Sequence, residues 1–155
     1  MIKLLFMDVD GTLTDGRIIW SSDGVETKSF SVKDGMGISL AIKSGIIPVI
    51  VTGRRSECVT LRAKELNIEE VYQAVSDKTE IILQMMDKYS ATKEELAYIG
   101  DDVNDISSMK YCGIIGAPCD ASDEVKRIAT FVSSKKGGDG AVRDFINYLL
   151  STDDT

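Results

Sequence analysis

Ile2-Lys3-Leu4-Leu5-Phe6-Met7-Asp8-Val9-Asp10-Gly11-Thr12 is the stretch on which the rest of the chain is organised. The apolar run from Ile2 to Met7, interrupted only by Lys3, reads as a short buried strand, and Gly11 lets the chain turn at its carboxyl end. Residues two apart in an extended backbone point the same way. The Asp8 and Asp10 carboxylates therefore face one pocket at a strand tip, where open α/β sheets place their ligands. A pair of acids there suits a division of labour in which one attacks an electrophile, the other moves a proton, and a cation relieves their repulsion.

Downstream, the pattern repeats. Arg17-Ile18-Ile19-Trp20, a turn at Ser22-Asp23-Gly24, and Val25 to Val32 predict a β-hairpin inserted after the first strand, with Ile18, Trp20 and Phe30 exposed for burial against another subunit. A helix opening at Asp34-Gly35-Met36-Gly37 ends at Ser44-Gly45, and Pro48-Val49-Ile50-Val51 is the second buried strand, tipped by Thr52-Gly53-Arg54. Ser56 to Leu66 is amphipathic, Val71 to Ala74 is a third strand, and Thr79 to Tyr89 is a helix whose Ile81, Ile82, Met85 and Met86 form a core face. Thr92 to Glu95 has the form of a capping box. Leu96 to Ile99 leads into Gly100-Asp101-Asp102-Val103-Asn104-Asp105 and a helix to Tyr111, and Gly113 to Gly116 and Phe131-Val132 are further strands flanking a helix from Ser122 to Ile128. Gly137-Gly138-Asp139-Gly140 precedes a closing helix from Ala141 to Leu150 and a frayed tail, 151–155. Alternating buried strands and helices predict an α/β, Rossmann-like parallel sheet with helices on both faces, forming one domain over residues 1–155.

Composition removes several classes of function. The 155 residues carry a net charge of −7, which disfavours nucleic acid and anionic membrane as partners. No window approaches the roughly 18 apolar residues of a membrane span, and no basic and apolar leader opens the chain, so a cytoplasmic protein is expected. Cys58, Cys112 and Cys119 lack paired spacing and read as reduced core thiols. With no histidine, a Ser-His-Asp triad, a phosphohistidine and a His-rich metal site are excluded. A cysteine phosphatase would need Arg six residues after its nucleophile, and those positions hold Lys64, Pro118 and Val125.

The acids remain, and the topology gathers them. Asp8, Asp10, Thr52, Lys78 and Asp101 each fall at or just beyond a strand tip on one edge of the sheet. In that setting Asp8 is placed to attack phosphorus and Asp10 to protonate the leaving oxygen and then deprotonate water. Thr52 and the Gly53 N–H can donate to phosphate oxygens, and Lys78 supplies a compact positive charge. Mg²⁺ takes oxygen ligands, here Asp8, the Asp10 carbonyl and Asp101; without it a cluster that also contains Asp102 and Asp105 repels itself.

The order DxD, TG, K and GDDxxD resembles the haloacid dehalogenase superfamily of phosphatases, and with only the 17–32 hairpin as insertion it is similar to the capless subclass. Within it, DVDGTLTDG, GVETKSFSVKDGMGI, VTGRRS, IGDDVND and GGDGAVRDF resemble the 3-deoxy-D-manno-octulosonate 8-phosphate phosphatase family. The resemblance implies hydrolysis of a phosphorylated 2-keto-3-deoxy sugar acid on the way to lipopolysaccharide. It implies Mg²⁺, an aspartyl phosphate on Asp8, and a homotetramer whose hairpins pack together while a neighbouring subunit helps close the site. Donors for the substrate carboxylate and hydroxyls would come from Arg54, Arg62, Arg143 and the loop at Lys33-Asp34-Gly35. The TGR form at Arg54 resembles octulosonate rather than nonulosonate 9-phosphate phosphatases, which tend to carry an acid there.

Three rivals remain open: a nonulosonate phosphatase, a phosphoacceptor receiver and a non-catalytic relative of the same fold. A receiver places its paired acids first, the acceptor Asp in mid-chain and its Lys late, which is not the order here. Intact Asp8 and Asp10 weigh against the non-catalytic form.

Overall fold

A computed structural model describes residues 1–153. Its elements, in chain order, are β1 (Leu4–Met7), β2 (Ile19–Trp20), β3 (Glu26–Thr27), α1 (Val32–Lys43), β4 (Ile47–Val51), α2 (Glu57–Glu65), β5 (Glu70–Tyr72), α3 (Lys78–Lys88), β6 (Leu96–Ile99), α4 (Ile106–Met109), β7 (Ile114–Ala117), α5 (Asp123–Ile128), β8 (Phe131–Val132) and α6 (Ala141–Asp153). Six strands form one sheet in the order β5-β4-β1-β6-β7-β8, every pair parallel. The first strand lies inside it, Leu4 opposite both Ile47 and Leu96, so the DxD segment leaves from the interior of the sheet.

Alternation along β1 explains its unbroken apolar run. Leu5 and Met7 enter the core shared with Ile38 and Ala41 of α1, Val59 and Ala63 of α2, and Val142, Phe145 and Ile146 of α6. Leu4 and Phe6 enter the opposite core with Ile82 and Met85 of α3, Met109 of α4 and Val125 of α5. A strand covered on both faces needs apolar residues at every position, and all four of β1 are buried. At about 25 cal/mol per Å² of apolar area removed from water, these two cores are the main stabilising term of the fold.

Local signals set the boundaries. Ser31 accepts the Asp34 N–H at 3.4 Å and starts α1 at Val32, two residues before the predicted opening at Asp34. The capping box at Thr92 is present, with the Thr92 N–H donating to Glu95 Oε2 at 2.9 Å. Three expectations need correction. The hairpin ladder is only two residues a side, Ile19 opposite Thr27 and Trp20 opposite Glu26. Phe30 is not exposed with Ile18 and Trp20; it folds back onto the core, with the Arg62 guanidinium over its ring. Ser151 to Asp153 continue α6 instead of fraying, because the Ser151 and Thr152 hydroxyls donate to the Tyr148 and Leu149 carbonyls and the N-terminal ammonium pairs with Asp153 at 3.6 Å. The rest of the expected tail, 154–155, lies outside the described residues. The three cysteines are unpaired, but only Cys112 is fully buried; Cys58 and Cys119 are partly exposed.

Candidate active site

Parallel strands bring their carboxyl ends to one edge, and there the loops after β1, β4 and β6 meet. Asp8, Asp10, Thr52, Gly53, Arg54, Asp101, Asp102 and Asn104 line a cavity of about 210 Å³. A neighbouring cavity of about 190 Å³ shares Gly53 and Asn104 and adds Lys78. Residues from three separate loops and the start of α3 thus converge on one place.

Each side chain is held by a local device. Asp77 accepts the Thr79 N–H at 3.0 Å and caps α3, which makes Lys78 its first residue and turns the ammonium inward. Lys78 Nζ lies 3.0 Å from Asp8 Oδ1 and 2.7 Å from Asp105 Oδ1, and Asp105, fully buried, also accepts the Tyr98 hydroxyl at 2.6 Å. Gly11, at φ +87°, lets the chain turn under Asp101; a Cβ there would come within 2.0 Å of Asp101 Oδ2. Thr12 reaches Asp101 Oδ1 from the same turn at 3.4 Å. Asp102 caps the turn that follows, accepting the Val103 N–H at 2.8 Å.

Charge in this cluster is unbalanced. Burial, reinforced by Asp105, raises the Asp8 pKa, and Lys78 only partly offsets it. Burial and the adjoining Asp8 push Asp101 up to about 8. Lys78 loses solvation, yet Asp8 and Asp105 outweigh that loss and hold its pKa above the usual value. One ammonium, paired with Asp8 and Asp105, therefore faces a cluster of three carboxylates, and Asp105 Oδ2 is buried with no hydrogen-bond partner. One carboxylate oxygen from each of Asp8, Asp101 and Asp105 falls within 4.8 Å of the others. That all-oxygen set suits a hard divalent cation, which would remove the charge deficit.

The hairpin reaches the site through two of the cavity's lining residues, Asp10 and Arg54. Lys28 Nζ donates to Asp10 Oδ1 at 2.6 Å, and Arg54 donates to Glu26 Oε2 at 2.6 Å, with Arg54 Nη1 3.8 Å from Asp10 Oδ2. Neither Lys28 nor Glu26 stood out in the sequence, although their i, i+2 spacing on the returning strand puts both on one face. The glycine segment was equally opaque. Gly137 and Gly138 sit directly behind the DxD turn, where a Cβ on Gly137 would meet the Gly11 carbonyl at 1.8 Å, and the Gly138 N–H donates to the Thr12 carbonyl at 3.0 Å. The segment is a buttress for that turn.

The remaining candidates lie elsewhere. Asp34, Gly35 and Arg62 border a small apolar void beneath the start of α1, among Phe30, Ile38 and Val59. Asp34 accepts the Arg143 N–H at 2.9 Å at the start of α6, and burial raises its pKa against that bond. Arg62 donates to the Ser31 carbonyl at 3.1 Å and pairs with Glu65. Lys33 is exposed, its carbonyl accepting from Arg143 at 3.4 Å. Of the predicted substrate contacts, only Arg54 borders the cavity of Asp8.

A doubly wound parallel sheet with paired aspartates at the tip of an interior strand, a lysine opposite and an acid cluster on the next strand defines a class of hydrolases. The chain belongs to the haloacid dehalogenase-like hydrolases, whose family model matches residues 56–146. It is 39% identical over 149 residues to the 3-deoxy-D-manno-octulosonate 8-phosphate phosphatase KdsC of Escherichia coli K12, covering 96% of this chain and 79% of that one. Among solved structures, it is similar to the 3-deoxy-D-manno-octulosonate 8-phosphate phosphatase of Yersinia pestis, with a TM-score of 0.96 and 39% identity over 99% of this chain and 83% of that one. It is likewise similar to the Moraxella catarrhalis phosphatase of the same name, solved in complex with magnesium ion, phosphate ion and KDO, with a TM-score of 0.93 and 39% identity over 97% of this chain and 86% of that one. No helix among the described residues is long and apolar enough to cross a membrane.

Proposed function

We propose that this hydrolase is a Mg²⁺-dependent phosphomonoesterase that cleaves 3-deoxy-D-manno-octulosonate 8-phosphate to the free sugar acid and phosphate. The observation that carries the reading is the charge deficit at the strand tips: three converging carboxylates and one lysine, in a chain 39% identical to phosphatases of that substrate. Asp8 attacks phosphorus in line with the leaving oxygen and becomes an aspartyl phosphate, while Asp10 gives that oxygen its proton. Asp10 then takes a proton from the water that hydrolyses the intermediate, and Asp8 is regenerated. Thr52, Gly53 and Lys78 hold the phosphoryl oxygens, and Asp102 and Asp105 support the cluster from behind. Asp8, the Asp10 carbonyl and Asp101 would hold Mg²⁺, with Asp105 available through its unpartnered oxygen; the ion supplies charge neutralisation at the phosphoryl group.

Arg54, whose buried Nη1 makes no hydrogen bond beside the cavity, is the donor for the sugar acid. Lys33, Asp34, Gly35, Arg62 and Arg143 lie outside this chain's own cavity. In a homotetramer, a neighbouring subunit helps close the cavity. The exposed apolar side chains of Ile18, Ile19, Trp20 and Val25 on the hairpin support that assembly. The whole chain acts as one cytoplasmic phosphatase domain whose product feeds lipopolysaccharide.

The test is phosphate release with Mg²⁺ across a panel of octulosonate 8-phosphate, nonulosonate 9-phosphates and hexose phosphates, comparing kcat/KM. Preference for the octulosonate is expected. Preference for a nonulosonate would keep the chemistry and change the substrate, and no release from any ester would overturn the reading.

A further inference from the structure

We propose that Lys28, carried by the hairpin, is a positioning residue for Asp10: it anchors one carboxylate oxygen so that the other faces the leaving oxygen of the substrate. The inference rests on the reading of Asp10 as the acid of the reaction. On a hairpin whose residues 17–25 are all exposed, the Lys28 side chain is only 2% exposed. Its ammonium lies 2.6 Å from Asp10 Oδ1 and 3.7 Å from Glu26 Oε1, and these are the ion pairs that compensate its burial.

The two aspartates of the motif thus have separate lysines from separate parts of the chain. Lys78, at the start of α3, serves Asp8; Lys28, from the insertion, serves Asp10. Asp10 Oδ2 makes no comparable bond, its nearest cation being Arg54 Nη1 at 3.8 Å. Glu26 holds Arg54 through its other oxygen, so Glu26 bridges both cations around Asp10. In the first step the bond from Asp8 to phosphorus forms, the bond from phosphorus to the sugar oxygen breaks, and the proton on Asp10 Oδ2 passes to that oxygen. Lys28 takes no part in that transfer. It orients the donor, and its positive charge lies beside the carboxylate that the transfer leaves behind.

Leaving-group dependence separates this role from a general structural one. A sugar alkoxide needs protonation as it departs, whereas 4-nitrophenolate is stable as an anion and hardly needs the acid. With the full chain and saturating Mg²⁺, Lys28→Met is expected to lower kcat on octulosonate 8-phosphate about 100-fold with KM nearly unchanged, and kcat on 4-nitrophenyl phosphate less than about 5-fold. Lys28→Arg should restore most of the loss, and Lys28→Met should add little in an Asp10→Asn background. Should Lys28→Met fail to fold, Lys28→Gln, whose amide still donates to Asp10, carries the same comparison with a smaller and equally selective loss. Equal losses on both esters, or a loss confined to KM, would overturn the inference and leave the phosphatase reading intact. Failure of the wild-type protein to cleave either ester would remove both.

Discussion

The sheet carries a buried carboxylate network at each end, and the two are built to opposite rules. At the carboxyl ends of the strands, Lys78 faces Asp8 and Asp105 with Asp101 beside them, and burial with mutual repulsion raises the Asp8 and Asp101 pKa values. Toward the other end, Glu70 alone accepts from Lys88, from the Tyr72 hydroxyl at 2.6 Å and from the Tyr89 hydroxyl at 2.6 Å. Burial works against the Glu70 charge, but those three donors outweigh it and lower its pKa, while burial and Glu70 push Tyr72 up to about 12. One ammonium among three acids is a site waiting for positive charge. Three donors around one acid is a finished structural joint.

The contrast is broken most directly at Asp8. Asp8→Asn is expected to reduce phosphate release by about 10⁴-fold or more, because the amide is not a nucleophile. Removing one of the crowded charges should also raise the melting temperature of the metal-free protein. Activity near the wild-type level, or a lower metal-free melting temperature, would show that the cluster is not a strained catalytic site.

Metal and pH sharpen the same comparison. Asp101, with a folded pKa near 8 against an ordinary value of 3.8, keeps its proton in the folded metal-free protein over a range where the unfolded chain has lost it. Its contribution is therefore fully present below about pH 4 and is lost as pH rises toward 8. Glu70 has the opposite sign: its depressed pKa contributes stability above the ordinary value of 4.5, lost as pH falls through the folded value. The metal-free melting temperature should consequently decline from about pH 5 to pH 8. Mg²⁺ binds the deprotonated acids and should restore it, by about 2.7 kcal/mol at a hundred times its dissociation constant. Chelation should abolish turnover. Melting curves from pH 5 to 8 with and without Mg²⁺ decide it, and a metal-free melting temperature that climbs over that range would refute the charge-deficit account.

What could be read from the sequence follows the range of each interaction. The alternation of strands and helices, the two-faced core and the meeting of Asp8, Asp10, Thr52, Lys78 and Asp101 follow from periodicity and from the rule that parallel strands end on one edge; the order of strands across the sheet does not. Phe30 escapes a sequence reading because its burial comes from packing against a core assembled by distant segments, with Arg62, 32 positions away, over its ring. Lys28 and Glu26 stayed hidden because a hairpin charge ordinarily reads as solvated; only its register relative to Asp10 makes it part of the site. The buttressing role of Gly137 and Gly138 is hidden for the same reason, since their close approach to Gly11 and Thr14 is a property of packed backbone.

The smallest expected effect tests the finished joint. Glu70→Gln keeps the shape and leaves Lys88, Tyr72 and Tyr89 around a neutral amide, whose NH₂ group donates where Glu70 could only accept. Weaker, partly mismatched bonds at a buried position should cost about 1–3 kcal/mol at pH 7. The penalty should shrink as pH falls, because protonating Glu70 in the wild-type protein removes the same charge. Turnover should stay within about twofold, since Glu70 lies on β5 away from the cavity and donates nothing to the cluster at the strand tips. Urea denaturation at pH 7 and pH 4, paired with kcat on the preferred ester, measures both parts. A large fall in kcat without a loss of stability would mean that the two ends of the sheet are coupled, and the structural role assigned to Glu70 would have to be abandoned.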